Sequence, residues 1–353
     1  MSRIFMKGNE AIAEAAIRAG CRFFAGYPIT PQNEIPEYMS KRLSEVNGSF
    51  VQGESEVASI NMVFGAASVG TKALTSSSSP GISLKTEAIS ALAGAELPAV
   101  IVNVTRGGPG LGSIQAAQMD YLQSTKAAGH GGFKMLVYAP STAQEAVDLT
   151  YLAFDKAEQY MAPMMLCPDG CIGNIMEPVI LPEMRPVKKM KISTFASKLN
   201  NPKHLNVTTL LAPEENQERF NIMMAEMYER WESCEKLVEE YWLENAEIVI
   251  VAYGVSARIA KTAIHTLREQ GINVGMIRPV TIWPFPYDSF EKLDYNSLKG
   301  VLCVEMSIPC QVIEDVRVGV ARRAPISTLL HSGGILIASE EIVEKIQGMA
   351  EGR

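Results

Sequence analysis

The sequence predicts an α/β protein with two doubly wound, mainly parallel-sheet domains joined by a helical linker. Short apolar runs alternate with helix-period segments from residue 8 to about 182, and the same alternation restarts near residue 247. The length of 353 residues also favours two domains, at about 100–200 residues each. We therefore predict domains over residues 1–185 and 246–353, with a linker and helical arm over 186–245.

The first half has the clearest alternation of elements. Helical spacing predicts helices over 9–18, over the segment around Ile60, and from a capping box of Ser141 and Gln144 to about Lys156. The short apolar runs predict strands over 23–25, 73–75, 98–104, 135–138 and 163–167. The buried face of the second helix is expected to carry Val57, Ile60, Val63, Phe64 and Ala67.

The composition changes after the first half, and the predicted helical arm and second domain come after that change. Between residues 183 and 245 glycine is scarce, and the Met-, Glu- and aromatic-rich segment 213–244 predicts a long helical arm. The second domain is expected to have strands over 247–253, 273–277, 301–305 and 325–330, with helices over 257–270 and 312–322.

Charge and apolar patterning exclude several classes of function. With 32 Lys+Arg against 39 Asp+Glu, the net charge of −7 provides no basic field for nucleic acid. The first residues lack the apolar core of a secretory signal, and the most apolar stretch, 89–104, is short and interrupted by Glu96 and Pro98. We therefore expect a cytoplasmic protein with neither a nucleic-acid partner nor a membrane segment.

Cysteine and histidine spacing predicts no metal site on this chain. Six cysteines are too few for a disulfide scaffold, and they favour reduced thiols. Cys167 and Cys171 form a CxxxC pair without the second ligand pair that zinc and cluster sites need, so two buried thiols are the expected interpretation. The four histidines also lack ligand spacing.

Three polar loops follow predicted strands of the first half: 27–31 (YPITP), 76–81 (SSSSPG) and 105–112 (TRGGPGLG). Ligands bind beyond the carboxyl ends of strands in open α/β sheets, so we expect these loops to meet at one edge. Arg106 would then clamp a carboxylate or a phosphate. A tight glycine turn with a surface arginine is the plainer alternative, and the missing Lys-Ser/Thr excludes a P-loop.

Two carboxylates, Glu54 and Glu56, open the second predicted helix. The helix dipole favours acidic residues there, so a structural role explains one of them. The second could face an apolar pocket and exchange a proton with a bound partner. From residue chemistry alone, the chain is an α/β ligand-binding protein.

Five motifs in order extend this interpretation: GYPITP, GESEVAS, TSSSSPG and TRGGPGLG in the first half, and RPVTIWPFP at 278–286. Together they resemble the α subunits of 2-oxoacid:ferredoxin oxidoreductases over nearly the whole chain. The similarity is greatest to the 2-oxoisovalerate (3-methyl-2-oxobutanoate) type, followed by the 2-oxoglutarate type. The resemblance implies a thiamine diphosphate pyrimidine-binding domain at 1–185 and a transketolase C-terminal-like domain at 246–353.

The resemblance also implies roles for individual residues. Glu56, rather than Glu54, would hydrogen-bond N1′ of the thiamine aminopyrimidine and support proton removal from the thiazolium ring. Thr30 and Arg106 would contact the substrate carboxylate, for which the planar guanidinium of arginine is suited. The remaining residues implied at the cofactor are Tyr27, Pro28, Ile29 and Ser78.

The implied reaction is oxidative decarboxylation of a 2-oxoacid to acyl-CoA and CO₂, with electrons passing through Fe–S clusters to ferredoxin. The chain lacks the Gly-Asp-Gly…Asn element with which thiamine enzymes hold Mg²⁺ and the diphosphate, and Asp169-Gly170 is only a fragment of it. The resemblance therefore implies a β subunit for Mg²⁺ and the diphosphate, γ and ferredoxin-like δ subunits for the complex, coenzyme A as co-substrate, and no activity of the isolated chain.

Two features leave alternatives open. Relatives commonly have glycine where this chain has Pro309 and Cys310, which places a coenzyme A or interface role of that loop in doubt. His130, in a glycine-rich loop, is expected to be structural or at an interface rather than catalytic. The substrate could instead be 2-oxoglutarate or pyruvate. The chain could also be a non-catalytic assembly subunit, or a transketolase-like acyl transferase that needs no ferredoxin.

Overall fold

The computed structural model describes residues 3–200 and 204–352, except for the side chain of residue 200. The described strands are β1 (Ile4–Lys7), β2 (Phe23–Gly26), β3 (Ser49–Gln52), β4 (Ala73–Ser77), β5 (Ala99–Asn103), β6 (Arg106–Gly107), β7 (Ser113–Ala116), β8 (Val137–Tyr138), β9 (Pro163–Leu166), β10 (Met176–Val179), β11 (Val238–Tyr241), β12 (Ile248–Val251), β13 (Val274–Pro279), β14 (Thr281–Trp283), β15 (Gly300–Glu305) and β16 (Ile326–Leu330). The described helices are α1 (Gly8–Arg18), α2 (Glu34–Glu45), α3 (Glu56–Ser68), α4 (Pro80–Gly94), α5 (Tyr121–Thr125), α6 (Ala143–Tyr160), α7 (Gly170–Asn174), α8 (Phe195–Asn200), α9 (Glu214–Cys234), α10 (Gly254–Glu269), α11 (Asp288–Glu291), α12 (Ile313–Val320) and α13 (Ser339–Ala350).

The first half is built on a seven-stranded sheet with the order β14-β8-β9-β5-β4-β2-β3. All its neighbouring pairs are parallel except β14 with β8. Parallel strands need crossover connections, which here are helices, and the central strands β4, β5 and β9 are therefore fully buried. This arrangement places the carboxyl ends of β2, β4 and β5 side by side.

The second half is built on a five-stranded sheet with the order β11-β13-β12-β15-β16, in which only the β11–β13 pair is antiparallel. Two short antiparallel pairs, β1–β10 and β6–β7, complete the described strands. The predicted fold class, two mainly parallel α/β sheets, is confirmed.

The helical prediction for 213–244 is wrong beyond residue 234. Helix α9 ends at Cys234, and β11 then pairs with β13 at the edge of the second sheet. The Glu235 carboxylate accepts hydrogen bonds from Lys156 (2.7 Å) and from Tyr160 (2.5 Å) of α6. These bonds attach the end of α9 to α6. Edge pairing then satisfies the backbone of a segment whose local sequence allows either structure.

The RPVTIWPFP run links the two sheets. Its first residues finish β13 in the second sheet, and β14 two residues later joins the first sheet beside β8. Arg278 in this run is buried and pairs with Glu145 of α6 and with Glu239 of β11 (2.8 Å to Glu239). A strand contributed by the second half of the chain thus closes the edge of the first sheet.

Two local predictions are corrected. Helix α6 is capped by Thr142, whose hydroxyl accepts from the Glu145 backbone N–H at 3.1 Å, rather than by Ser141 with Gln144. The capping motif is displaced by one residue because Glu145 already reaches back to the Ser141 N–H at 2.8 Å. On α3, Val57 is 46% exposed, since the buried face begins at Glu56 and continues through Ile60 and Val63.

Gln118, which is buried between the two sheets, joins them through its side chain. The amide donates to the Tyr253 carbonyl at 2.8 Å, and its oxygen accepts from the Ser256 hydroxyl (2.6 Å) and the Met306 N–H (2.9 Å). Asp169 makes a second connection, because its carboxylate caps α7 and accepts from the Val255 N–H at 2.7 Å. Burial raises the pKa of Asp169 to about 6.

Candidate active site

The three predicted loops meet at the carboxyl edge of the first sheet. Arg106, after β5, donates to the carbonyl oxygen of Thr30, after β2, at 2.8 Å. Ser76 of β4 donates to the Gln32 side chain at 2.5 Å. The convergence follows from the strand order, because β2, β4 and β5 are neighbours and end at the same edge.

Glu56 lies at the start of α3, and its side chain is buried, whereas Glu54 is exposed. The N-cap of the helix is Ser55, whose hydroxyl accepts from the Ala58 N–H at 3.2 Å. Capping is therefore done by the serine, and neither glutamate is needed for it. None of the described residues donates a hydrogen bond within normal distance to the Glu56 carboxylate, which leaves its oxygens available to a ligand.

The Glu56 carboxylate lies against the first turn of α4. A Cβ atom placed on Gly81 would come within 2.1 Å of the Ser77 hydroxyl oxygen and 2.8 Å of Glu56 Oε1. The hydroxyls of Ser77 and Ser78 are buried and have no hydrogen-bond partner among the described residues. Buried polar groups are normally paired, so this group of a carboxylate and two hydroxyls fits a bound polar ligand with several hydrogen-bonding atoms.

Arg106 is 3% exposed and links two of the loops. Its guanidinium donates to the carbonyls of Thr30 (2.8 Å) and Leu111 (3.0 Å), and its Nε is buried without a described partner. Desolvation lowers the pKa of Arg106, although a guanidinium stays charged in proteins. The plainer expectation of a surface arginine is therefore wrong, because the side chain lies inside the site.

A polar network lies behind Arg106. Asp120 accepts from the Ser79 hydroxyl (2.5 Å) and from the Asn103 amide (3.0 Å), while the Asn103 oxygen accepts from the Ser79 backbone N–H (2.9 Å). Burial raises the pKa of Asp120. Ser79 has φ of 33°, a conformation that L residues rarely adopt, and these hydrogen bonds hold it there at the entrance of α4.

The other residues predicted to contact the cofactor or the substrate differ in how exposed they are. Tyr27, Pro28 and Thr30 are exposed and Ile29 is half-buried, whereas Ser78 is fully buried. In this chain the 27–30 segment is therefore an outer wall of the site, and Ser78 belongs to its interior.

Lys85 belongs to the same region, and sequence reasoning missed it. This α4 side chain is completely buried, and its Nζ donates to the Thr75 hydroxyl (2.5 Å) and the Ser76 carbonyl (3.1 Å) of β4. Burial lowers the pKa of Lys85 to about 7, against the opposing effect of Glu56. A signal was present in the sequence, because residue 85 falls in the buried stripe formed by residues 81, 82, 88, 89 and 92.

His130 and the loop around Pro309 and Cys310, whose roles the sequence left open, lie outside the candidate site. His130 is exposed, and its carbonyl accepts from Ser90; it lines a cleft of about 670 Å³ between α4 and α9, away from the strand ends. Ile308 and Pro309 are exposed, and Cys310 is half-buried. The adjoining Gln311 contacts the first half, donating to the Met119 carbonyl at 2.7 Å and accepting from the Leu122 N–H at 2.9 Å.

Over residues 3–200 and 204–352, no three metal-ligating side chains cluster, and no helix is both long and apolar enough to cross a bilayer. The six cysteines are free thiols. Cys167 is buried as expected, but Cys171 is only half-buried, and burial raises the pKa of Cys171 to about 12.

Two family models match almost the whole chain. Residues 14–242 match the thiamine diphosphate-binding domain of pyruvate flavodoxin/ferredoxin oxidoreductases, and residues 246–342 match core domain II of pyruvate:ferredoxin oxidoreductase. The chain belongs to the 2-oxoacid:ferredoxin oxidoreductase family. The resemblance inferred from the five motifs is confirmed, and the chain is a subunit of an oxidoreductase.

Individual relatives agree with the family. The chain is 44% identical to the ketoisovalerate oxidoreductase subunit VorB of Methanothermobacter thermautotrophicus, covering 99% of both chains. It is 35% identical to the 2-oxoglutarate synthase subunit KorA of Methanocaldococcus jannaschii, covering 98% of this chain and 99% of the relative. A solved structure of 2-oxoglutarate:ferredoxin oxidoreductase from Magnetococcus marinus superimposes with a TM-score of 0.88 at 25% identity; the match covers 99% of this chain and 65% of that one.

The residues of the candidate site fit a polar cofactor with several hydrogen-bonding atoms, as thiamine diphosphate is. Glu56 offers an acceptor without a described donor, Ser77 and Ser78 offer unpartnered hydroxyls, and Gly81 leaves room that a side chain would fill. These groups come from α3, β4 and α4, which lie within the 14–242 match. The candidate site and the thiamine-binding family domain therefore coincide.

Proposed function

We propose that this chain is the α subunit of an enzyme that oxidatively decarboxylates 2-oxoisovalerate to an acyl-CoA and CO₂ and passes the electrons to ferredoxin. The observation that carries the proposal is Glu56, a buried carboxylate at the start of α3 with no described hydrogen-bond donor. Burying a carboxylate without a hydrogen-bond partner costs free energy of folding. A site that holds such a carboxylate is therefore suited to a ligand that donates a hydrogen bond to it.

Glu56 acts as the acid–base group of the site. Its carboxylate hydrogen-bonds N1′ of the aminopyrimidine and exchanges a proton there, and such catalysis contributes about 10²–10⁴-fold to a rate. Thiamine diphosphate supplies the carbon nucleophile and the electron sink for decarboxylation. Ser78 lines the interior of the site, and the 27–29 segment forms its outer wall.

Arg106 and Thr30 contact the substrate carboxylate in this proposal. One N–H of the Arg106 guanidinium donates to the Thr30 carbonyl, and this hydrogen bond holds the two residues next to each other. Its buried Nε lacks a described partner, and a fixed guanidinium in a desolvated site binds a carboxylate strongly.

The remaining parts of the reaction are assigned to partners. The sequence lacks the Gly-Asp-Gly…Asn element for Mg²⁺ and the diphosphate, so a β subunit holds them. The ferredoxin-like δ subunit carries Fe–S clusters, a γ subunit completes the complex, and coenzyme A takes up the acyl group. The isolated chain is therefore inactive, and the complex works in the cytoplasm. We also propose that residues 1–185, 186–245 and 246–353 are its pyrimidine-binding domain, linker and transketolase C-terminal-like domain.

The choice of substrate rests on similarity. The chain is 44% identical to a ketoisovalerate oxidoreductase subunit and 35% identical to a 2-oxoglutarate synthase subunit. An apolar pocket distinguishes one methylene by only about 1–3 kcal/mol, so related members of such a family differ in preference rather than in chemistry.

The test uses the complex reconstituted with its partner subunits. Methyl viologen reduction is measured with coenzyme A and each of 2-oxoisovalerate, 2-oxoglutarate and pyruvate, and we expect the highest kcat/KM for 2-oxoisovalerate. Glu56→Gln should lower kcat with every substrate by about 10²–10⁴-fold. The matched control is Glu54→Gln, two residues away and exposed, which should leave kcat within about twofold.

A different experimental result would contradict each part of the proposal. Full turnover in Glu56→Gln would mark the chain as an assembly subunit, and a different best substrate would correct only the choice of 2-oxoacid. Acyl transfer without reduction of ferredoxin or viologen would favour a transketolase-like enzyme. Turnover by this chain without partners would remove the assignment of the diphosphate half to a β subunit.

A further inference from the structure

Asp120 is a buried carboxylate that the proposed chemistry does not use. It precedes α5 and is 6% exposed. Its Oδ2 accepts two hydrogen bonds, from the Ser79 hydroxyl at 2.5 Å and from the Asn103 amide at 3.0 Å. One donor comes from the turn after β4 and the other from the last residue of β5, so two neighbouring strand ends meet on one oxygen atom.

The Ser79 hydroxyl connects this carboxylate to Arg106. While it donates to Asp120, its oxygen accepts from the backbone N–H of Arg106 at 3.0 Å. The Ser79 backbone N–H in turn donates to the Asn103 side-chain oxygen at 2.9 Å. The backbone position of Arg106, from which its guanidinium extends, therefore depends on a hydroxyl that Asp120 orients.

Ser79 holds this position at a conformational cost. Its backbone has φ of 33° and ψ of −87°, outside the regions that L residues normally occupy. Glycine adopts positive φ more readily, but it has no hydroxyl to place between Asp120 and Arg106. Such strain persists where surrounding contacts fix it, and it is concentrated at functional sites. A serine in this conformation therefore indicates that the hydroxyl itself is needed.

The second half of the chain fixes the segment that carries Asp120. The Gln311 side chain donates to the Met119 carbonyl at 2.7 Å and accepts from the Leu122 N–H at 2.9 Å. The backbone is thus held on both sides of Asp120, within two residues in each direction. The carboxylate is a fixed point against which the strained turn is placed.

We propose that Asp120 is a positioning residue for the substrate contact, holding Arg106 through the Ser79 hydroxyl so that the guanidinium meets the carboxylate of the 2-oxoacid. The inference rests on the proposed role of Arg106 in binding that carboxylate. No bond is made or broken at Asp120, and no proton is transferred there. Its contribution is geometric, because a displacement of about 1 Å in a positioning group can cost about 100-fold in rate.

The first test measures position without turnover. Amide hydrogen exchange of the isolated full-length chain is followed by mass spectrometry over peptides that contain Ser79 and Arg106, relative to the peptide of β9 in the same sheet. Asp120→Ala should make both amides exchange about tenfold faster, because their hydrogen bonds lose the support of the carboxylate. The control is Glu14→Ala, which removes a buried carboxylate paired with two arginines of α1 and α2 and should leave these relative rates unchanged. Equal rates in wild type and Asp120→Ala would overturn the proposal.

The second test is made on the reconstituted complex, with 2-oxoisovalerate and coenzyme A varied separately. Asp120→Ala should raise KM for the 2-oxoacid by about tenfold and leave KM for coenzyme A within about twofold. A purely structural role would lower kcat through loss of folded enzyme and leave both KM values unchanged, as we expect for Glu14→Ala. Wild-type KM values in a folded Asp120→Ala variant would contradict the proposal.

Two further variants separate geometry from charge and from folding. Asp120→Asn has an amide oxygen that can accept both bonds now made to Oδ2, so its KM should return most of the way to the wild-type value. Ser79→Gly permits the same backbone angles without the hydroxyl, and it should raise KM although the turn can still form. A KM in Asp120→Asn as high as in Asp120→Ala, or a wild-type KM in Ser79→Gly, would count against positioning by these hydrogen bonds.

Arg106→Met distinguishes this inference from the proposed function. An unchanged KM in Arg106→Met would refute the proposed substrate contact, while faster exchange at Arg106 in Asp120→Ala would still show the positioning. A raised KM in Arg106→Met beside a wild-type KM in Asp120→Ala would overturn this inference alone. If both are correct, Asp120→Ala should have little further effect in the Arg106→Met background, because residues that act through one another are non-additive.

Discussion

Glu56 keeps its place because residue 81 has no side chain. The Ser77 hydroxyl and the Glu56 carboxylate both lie within the space that a Cβ at residue 81 would occupy, at 2.1 and 2.8 Å. Contacts below 3.0 Å require one of the neighbours to move, and the Ser77 side chain is on a fully buried strand. A larger residue would therefore displace both the Ser77 hydroxyl and the Glu56 carboxylate.

We expect Gly81→Ala to weaken thiamine diphosphate binding by the reconstituted complex, because the methyl group moves Glu56 away from the ligand. A tenfold loss corresponds to about 1.4 kcal/mol. Calorimetric titration of the complex measures it. The matched control is Gly65→Ala on α3, where a Cβ meets nothing within 4 Å; it should leave binding unchanged and raise stability by about 0.5–1 kcal/mol. Equal cofactor affinity in both variants would mean that the space beside Glu56 is not restricted.

At the scale of the element, the N-terminus of α3 sets the direction of Glu56. Ser55 has extended backbone angles and accepts from the Ala58 N–H, and its own carbonyl accepts from the Ser59 hydroxyl at 2.8 Å. These bonds fix the first turn, and Glu56 is its first residue. The capping serine is thus part of the support of the site.

Ser55→Ala should lower the free energy of unfolding by about 1 kcal/mol, the usual cost of losing an N-cap side chain. The matched control is Thr142→Ala, which removes the equivalent cap of α6, where the hydroxyl accepts from Glu145. Both variants should lose similar stability in chemical denaturation. Only Ser55→Ala should also weaken thiamine diphosphate binding, and a comparable weakening in Thr142→Ala would indicate a general loss of stability instead.

At the scale of the whole molecule, the buried amide of Gln118 is one of the groups that join the two sheets. The Gln118 side chain bonds to three residues of the second half, two at the start of α10 and one after β15, and the Tyr253 hydroxyl also donates to the Gln118 carbonyl at 3.2 Å. Nearby, Asp315 of α12 accepts from Tyr121 (2.5 Å) and Lys126 (2.7 Å) of the first half. The halves are therefore joined by specific polar contacts as well as by β14.

Gln118→Leu should destabilise the chain, because it leaves the Met306 N–H and the Ser256 hydroxyl buried without an acceptor. An unsatisfied buried group costs about 1–3 kcal/mol, so urea denaturation should show a clearly lower midpoint. The control is Gln123→Leu, whose amide makes one exposed bond to Ser83 and whose loss should change stability by less than about 0.5 kcal/mol. The same midpoint for both variants would show that the Gln118 contacts contribute nothing.

The alternation of strands and helices and the convergence of the three polar loops followed from the sequence. Hydrophobic periodicity and turn residues depend on local geometry, so they indicated α1, α3, α6 and α10, the main strands of both sheets, and the loops that follow β2, β4 and β5, but not α2, α4 or α13. The rule that ligands bind at the carboxyl ends of parallel strands then brought those loops together. The family resemblance favoured Glu56 over Glu54 as the catalytic residue, and that role stays a prediction; the structure buries Glu56 and exposes Glu54.

Only the tertiary structure decided the remaining features. A lysine in a helix is equally compatible with solvent and with burial, so the burial of Lys85 depended on how α4 packs on β4. Arg106, Gln118 and the strand Thr281–Trp283 likewise have partners 76 or more residues away in the chain, and no local pattern records such distant pairings. Sequence by itself determined the alternation of strands and helices and where the main strands end. The packing of those ends determined which polar groups face one another, because that depends on contacts between segments far apart in the chain.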